Sequence, residues 1–218
     1  MMLAIVLAAA VITAQREVVY NASYTDTHAQ NVTSFYGNQE ASVGDGDHGT
    51  VTIDVMEASE TSLGLKVTET WTATGRPRVF LGNVDADCVA EFPQDSIQLV
   101  TRQILHYFCL GLPTAHDFSV GEQWSIPGPD KSGMVDQFNV SAVNGDQATL
   151  QEKRFSTTTT VAVGELTGDG TIVYEPSKVI PISGKYNFKV SAGGYAESDE
   201  DTITMHFELA SDSMGVSK

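Results

Sequence analysis

Through most of its length the chain alternates apolar and polar residues with a period of two. In 202–209, Ile203, Met205, Phe207 and Leu209 fall on one side and Thr202, Thr204, His206 and Glu208 on the other. This is the pattern of a strand with one face buried. The same alternation runs through 185–192, with Tyr186, Phe188, Val190 and Ala192 inward, through 51–55, and through Leu63, Leu65 and Val67 on to Trp71. Further strands are expected at "EVVYNASY", "QNVTSFYG", "EQWSIP", "QFNVSAV", "ATLQEKRFSTTTTVAV" and "GTIVYEP". Gly, Asn and Asp clusters at "NGDQ", "TGDGT" and "SAGGYAESDED" are the expected turns between them. Many short strands with one polar face each predict an antiparallel sheet.

One segment changes period. Ile97, Val100, Ile104, Leu105 and Phe108 form a helical stripe, with Gln98, Arg102, Gln103 and His106 opposite. Pro93 and Asp95 supply start signals, and Gly111 and Pro113 a stop. The spacing predicts an amphipathic helix near 95–109, with His106 on its exposed side. The predicted fold is therefore mainly β (α+β): a curved antiparallel sheet or unclosed β-barrel wrapped around one helix.

The ends and the charge add a location. Residues 1–14, "MMLAIVLAAAVITA", are an unbroken apolar and small-residue run that stops at Gln15-Arg16-Glu17, as in a secretory signal peptide. The run is too short to cross a bilayer, so no stable membrane span is expected after processing. Residues 15–218 then form a single β-rich domain of an exported protein, in the periplasm, cell envelope or extracellular space. Asp and Glu total 28 against 12 Lys and Arg, a formal charge of −16. That balance opposes phosphate backbones, and nucleic acid is not an expected partner. Export makes a disulfide between Cys88 and Cys109 an expectation, closing a loop worth about 3 kcal/mol in the chain-entropy model. Two separately buried thiols are the alternative.

Candidate chemistry is sparse. "GDGDHG", 44–49, spells a dinucleotide-binding fingerprint, but a strand pattern follows where a helix is required, and Asp45 and Asp47 would repel phosphates. As a calcium loop it lacks the next ligand, Gly49 standing there, and the bidentate acid, replaced by Met56. A flexible acidic turn leading into a strand is the expected reading. The acidic run 197–201 reads as a solvated hairpin tip, and no cofactor or metal is expected. No Gly-x-Ser-x-Gly, His-Glu-x-x-His or Cys-x-x-Cys occurs, and His28, His48, His106, His116 and His206 share no ligand spacing. No catalytic residue is assigned.

Three stretches, "GTVTIDVMEASETSLGLKVTETWTATGRP", "FSVGEQWSIPGP" and "GDGTIVYEPSKVIPISG", resemble a loose group of exported bacterial proteins of unassigned function. In that group a Gly-x-x-Trp step follows the helix, here Gly121 to Trp124, and a Gly-Thr-hydrophobic-x-Tyr-Asp strand comes later, here 170–175 with Glu175 for the Asp. The strand order is also similar, in architecture only, to the periplasmic lipoprotein carriers, whose unclosed barrels hold an acyl chain; fold alone does not carry function.

These readings converge on an exported non-enzymatic protein whose concave face is either a closed core or a site for a hydrophobic or lipid ligand. In the second case Trp71, Leu105, Phe108, Phe188 and Phe207 line the site; in the first, which is the favoured case, they pack on one another. A structural or adhesive envelope module without a small-molecule ligand is the alternative, and a hydrolase with an unrecognised site the third. No protein partner is named by the sequence.

Overall fold

A computed structural model describes residues 16–34, 37–59, 62–85, 90–92, 97–108, 110, 116–128, 134–156, 165–193 and 197–215. The expected signal peptide, Cys88, Cys109 and the helix-start residues Pro93 and Asp95 lie outside the described residues. From β1 (Arg16–Ser34) the chain steps outward through β2 (Gly37–Ala58), β3 (Ser62–Trp71) and β4 (Pro77–Asp85) to the two-residue β5 (Ala90–Glu91). Helix α1 (Leu99–Phe108) follows, and the chain resumes at β6 (Gln123–Pro127). It then returns through β7 (Met134–Asn144), β8 (Gln147–Ser156), β9 (Glu165–Glu175), β10 (Ile180–Gly193) and β11 (Glu197–Asp212). The sheet order is β5-β4-β3-β2-β1-β11-β10-β9-β8-β7-β6, antiparallel at every pairing, and its two edges do not meet. The fold is the expected one, an unclosed antiparallel sheet around a single helix.

The sheet must curve, because α1 touches β1, β4, β5, β10 and β11 while its polar side chains also reach β7 and β8. Alternation explains which face it meets. Tyr20, Ile53, Leu65, Trp71, Phe138, Ile172, Tyr186 and Phe207 all point to the helix side and are buried. The stripe of α1 is buried with them, from Ile97 to Phe108. The helix starts at Leu99, later than its apolar period suggested. Glu69, an acid on the inward face of β3, accepts the Gln98 amide at 2.9 Å and an Arg78 guanidinium N–H at 2.7 Å. Its negative charge at the helix start complements the helix dipole.

Strand boundaries depart from the sequence pattern in an informative way. The two strands expected at "EVVYNASY" and "QNVTSFYG" are one strand, β1. β4, whose Val79-Phe80-Leu81 run has no clear period, was not foreseen. Of the expected turns, "NGDQ" is a two-residue hairpin with Gly145 at φ 60°, the geometry of a type II′ turn. "GDGDHG" and "TGDGT" are not turns. The first lies inside β2, paired residue for residue with 22–27 of β1, and the second lies inside β9, between β8 and β10. The acidic run 197–201 is likewise no hairpin tip, being paired with β1 and, from Ser198, with β10. For the first and last of these the cause is that β1 and β2 run on past Trp71, where β3 ends opposite Gly49, to Ser34 and Gly37. There the sheet extends beyond the helix, and the ladder holds polar, glycine-rich sequence in strand form.

Two of these glycines seat an aromatic ring. Tyr186 lies across Gly168 and Gly170 of β9, and a Cβ at Gly170 would come 2.6 Å from its Cδ2 and 3.2 Å from the Lys185 carbonyl. Strand glycines under a close-packed ring are a known device. Gly170→Ala is therefore expected to destabilise the protein by about 1–3 kcal/mol through overpacking, read as a lower urea midpoint. An unchanged midpoint would mean that Tyr186 moves away without cost.

Candidate functional site

The residues expected to line the concave face are gathered there. Trp71, Leu105, Phe108 and Phe207 are each 2 % exposed or less, and Phe188 is half-buried against the same core. Tyr20 joins two of them, edge-on to Phe108 at 6.2 Å and to Phe207 at 5.8 Å. Trp71 stands edge-on to Tyr24 at 5.8 Å.

Beside this apolar cluster lies a polar one that the sequence pattern did not single out. His106, expected on the exposed side of the helix, is fully buried, and Gln103 is 2 % exposed. The strands they face carry charge at inward positions. On β7 the inward set is Met134, Asp136, Phe138 and Val140; on β8 it is Ala148, Leu150, Glu152 and Arg154. Alternation thus points Asp136, Glu152 and Arg154 at the helix. Arg154 binds Asp136 through two nitrogens, Nε to Oδ1 at 2.5 Å and Nη2 to Oδ2 at 2.7 Å. Nη2 also donates to Gln103 Oε1 at 3.0 Å and to Glu152 Oε1 at 3.4 Å. His106 Nε2 is 2.7 Å from Asp136 Oδ2, and Gln103 Nε2 donates to Glu152 Oε1 at 3.3 Å. The Tyr107 hydroxyl donates to Glu152 Oε2, and the guanidinium stacks over the Tyr186 ring at 5.0 Å.

Two carboxyls a few ångströms apart cannot share one counter-ion equally. Burial and the neighbouring Asp136 charge push Glu152 up to about 8, against the pull of Arg154 and the Tyr107 hydrogen bond. Burial also presses Asp136 upward, but hydrogen bonds from His106 and Arg154 and the Arg154 charge overcome it and hold the carboxyl below its ordinary range. Of the two carboxyls, Asp136 is thus the one held as the charged partner of Arg154, and Glu152 the one more readily protonated.

His106, Asp136 and Glu152 offer ligand atoms within 4.8 Å of one another, a spacing that could hold a metal ion. Arg154 already bonds both carboxylates and supplies the positive charge such an ion would bring, so the donor set fits a guanidinium better. The His106–Asp136 pair also matches the orienting half of a general-base arrangement. Both side chains are fully buried, leaving a substrate no path to the imidazole while α1 is seated.

The raised carboxyl sets a pH dependence. Unfolded, Glu152 titrates near 4.3; folded, near 8. The folded chain therefore holds the extra proton between these values. The stability this contributes is complete below the unfolded value and is lost as pH rises through the folded one. Stability is expected to fall from pH about 5 to 8 by at most about 1.4 kcal/mol per pH unit, read as a falling Tm. Glu152→Gln, which stays neutral, should flatten that fall. A variant with the wild-type pH profile would contradict the assignment.

Elsewhere, His116 stacks on Trp124 at 4.3 Å and pairs through Nδ1 with Glu122 at 3.2 Å, a local clamp on the β6 edge. His28 pairs with Asp201 at 2.5 Å, and His206 is exposed on the outer face, as its strand parity requires.

No model of a known protein family matches the chain, and no curated protein matches it closely enough to report. Its class is defined by architecture and site: an open antiparallel sheet enclosing one helix, with an aromatic cluster and a buried ion-pair cluster on the concave face. No helix among the described residues is long and apolar enough to cross a membrane.

Proposed function

We propose that the protein is an exported, non-enzymatic binding protein that takes a hydrophobic or lipid ligand in the concave face of its sheet, in the space α1 fills when no ligand is bound. The observation that supports this reading is the placement of α1. It belongs to no sheet ladder, it touches the β5 edge while its polar side chains reach β7 and β8 toward the other end of the sheet, and apolar side chains from strands on both sides surround it. An open sheet of this kind can admit a guest by displacing a tethered helix, which a closed barrel cannot.

Native mass spectrometry of the protein purified from its own envelope tests the reading. A bound lipid that is released on denaturation supports it, and a clean apo mass argues against it. A structural or adhesive module without a small-molecule ligand is the second reading. It is favoured by the near-complete burial of Trp71, Leu105, Phe108 and Phe207 against one another.

A further inference from the structure

The outer face of the sheet carries a groove that the concave-face reading does not use. Its volume is about 710 Å³, and it crosses β11, β1, β2 and β3. That volume is within the range of ordinary ligand sites. Strand register arranges its polar side chains in two rows. One runs Glu208, Asn21, Thr50, Thr70, each directly opposite the next on the neighbouring strand. The other runs His206, Ser23, His48 and ends at Thr72, whose amide and hydroxyl both bond the His48 carbonyl, at 2.9 and 2.8 Å. With neighbouring strands about 4.8 Å apart, each row spans roughly 14 Å.

The groove is built rather than incidental. Its wall is the turn after β3, tied down by Gly75 N to the Trp71 carbonyl at 2.8 Å and by Ala73 N to the Asp47 carboxylate at 3.2 Å. His206 is oriented as well. Its Nδ1 lies 3.1 Å from the Gly184 carbonyl, which can only accept, so Nδ1 donates to it and the ring is held with Nε2 turned away from that bond.

The chemistry of the lining selects the ligand class. Four hydroxyls, one amide, two imidazoles and one carboxylate line it, with no Lys or Arg. An anion would find no counter-charge and a protein of net charge −16. A divalent ion would find no converging set here, because the three-ligand grouping among the described residues is the buried one around His106. A purely apolar ligand would suit the carbon atoms of the groove but would cover its two polar rows without pairing them. A neutral sugar, whose hydroxyls both donate and accept and whose C–H faces are apolar, suits both the polar rows and the carbon atoms that make up most of the groove's exposed surface.

We propose that this groove binds a neutral oligosaccharide. Its polar side chains lie on the face of the sheet opposite the concave cluster. The test is a 15N-correlation NMR titration of the whole protein with maltohexaose, cellohexaose and chitohexaose. Saturable shifts with at least one of them, centred on Asn21, Ser23, His48, Thr72 and His206, are expected. Asn21→Ala and His206→Ala, both at exposed positions, are expected to weaken that binding about tenfold each, the loss of roughly one hydrogen bond, while keeping the wild-type spectrum elsewhere. No saturable shift with any of the three sugars, shifts that map elsewhere, or unchanged affinity in both variants would overturn the proposal.

Discussion

Replacing Arg154 by methionine is expected to lower stability by about 3–5 kcal/mol, the usual result of breaking a buried pair from one side. For a chain of this size that corresponds to a fall in Tm of roughly 6–20 °C. Arg154 is 5 % exposed and binds Asp136, Gln103 and Glu152 at once. Removing it leaves the Asp136 carboxylate in the interior with only His106 beside it. Much of the loss comes from that stranded charge rather than from the pair itself. Asp136→Asn in the Arg154→Met background is therefore expected to recover part of the stability, giving a double variant milder than the sum of the single ones. Calorimetry of the four proteins checks this. Strictly additive losses would show that the two side chains do not act as a unit.

Truncating Phe207 to alanine is expected to cost a similar amount, about 3–5 kcal/mol, by a different route. Phe207 is 2 % exposed and packs edge-on to Tyr20 at 5.8 Å and tilted against Tyr107 at 5.8 Å. Its ring also covers Gly184 of β10, where no Cβ fits. Little around it can collapse into the space, because Tyr20 is itself fixed by its hydroxyl, which donates to the Pro181 carbonyl at 2.9 Å. The loss should show in urea unfolding as a lower midpoint at unchanged slope. A cost below about 1 kcal/mol would mean that the core between α1 and the sheet repacks, contrary to the density expected there.

The two variants mark what could and could not be read from residue order. Phe207 was legible, since period two in β11 places it inward without any knowledge of its partners. The helix stripe was legible for the same reason. Arg154 was present in the pattern but obscured. In β8 Glu152 and Arg154 share the parity of Ala148 and Leu150, while Phe155 takes the outer parity and is 41 % exposed. Read strictly, alternation places both charges inside. What was missing was a reason to accept buried charge, and that reason is tertiary: Gln103, His106 and Tyr107 arrive from a helix about fifty residues upstream in sequence. The same absence of partners made His106 look like a surface residue.

The Gly-Asp stretches failed for a complementary reason. Glycine and aspartate favour turns when only local chain preferences act. In β9 and β11 a neighbouring strand on each side supplies the ladder, in β2 the long pairing with β1 supplies it from one side, and Gly168, Gly170 and Gly49 have close neighbours that leave no space for a larger residue. "GDGDHG" is thus neither a cofactor loop nor a turn, but the part of a long strand that continues past the end of β3.

The most direct measurement for the central reading, an apolar ligand in the concave face, is a titration with cis-parinaric acid followed by energy transfer from tryptophan. The account predicts saturable uptake at one ligand per chain, displaced by an unlabelled fatty acid, with transfer reduced in Trp71→Phe, since Trp71 lies on that face. Uptake that never saturates, or no transfer at any ligand concentration, would contradict it and leave the aromatic cluster as a closed core.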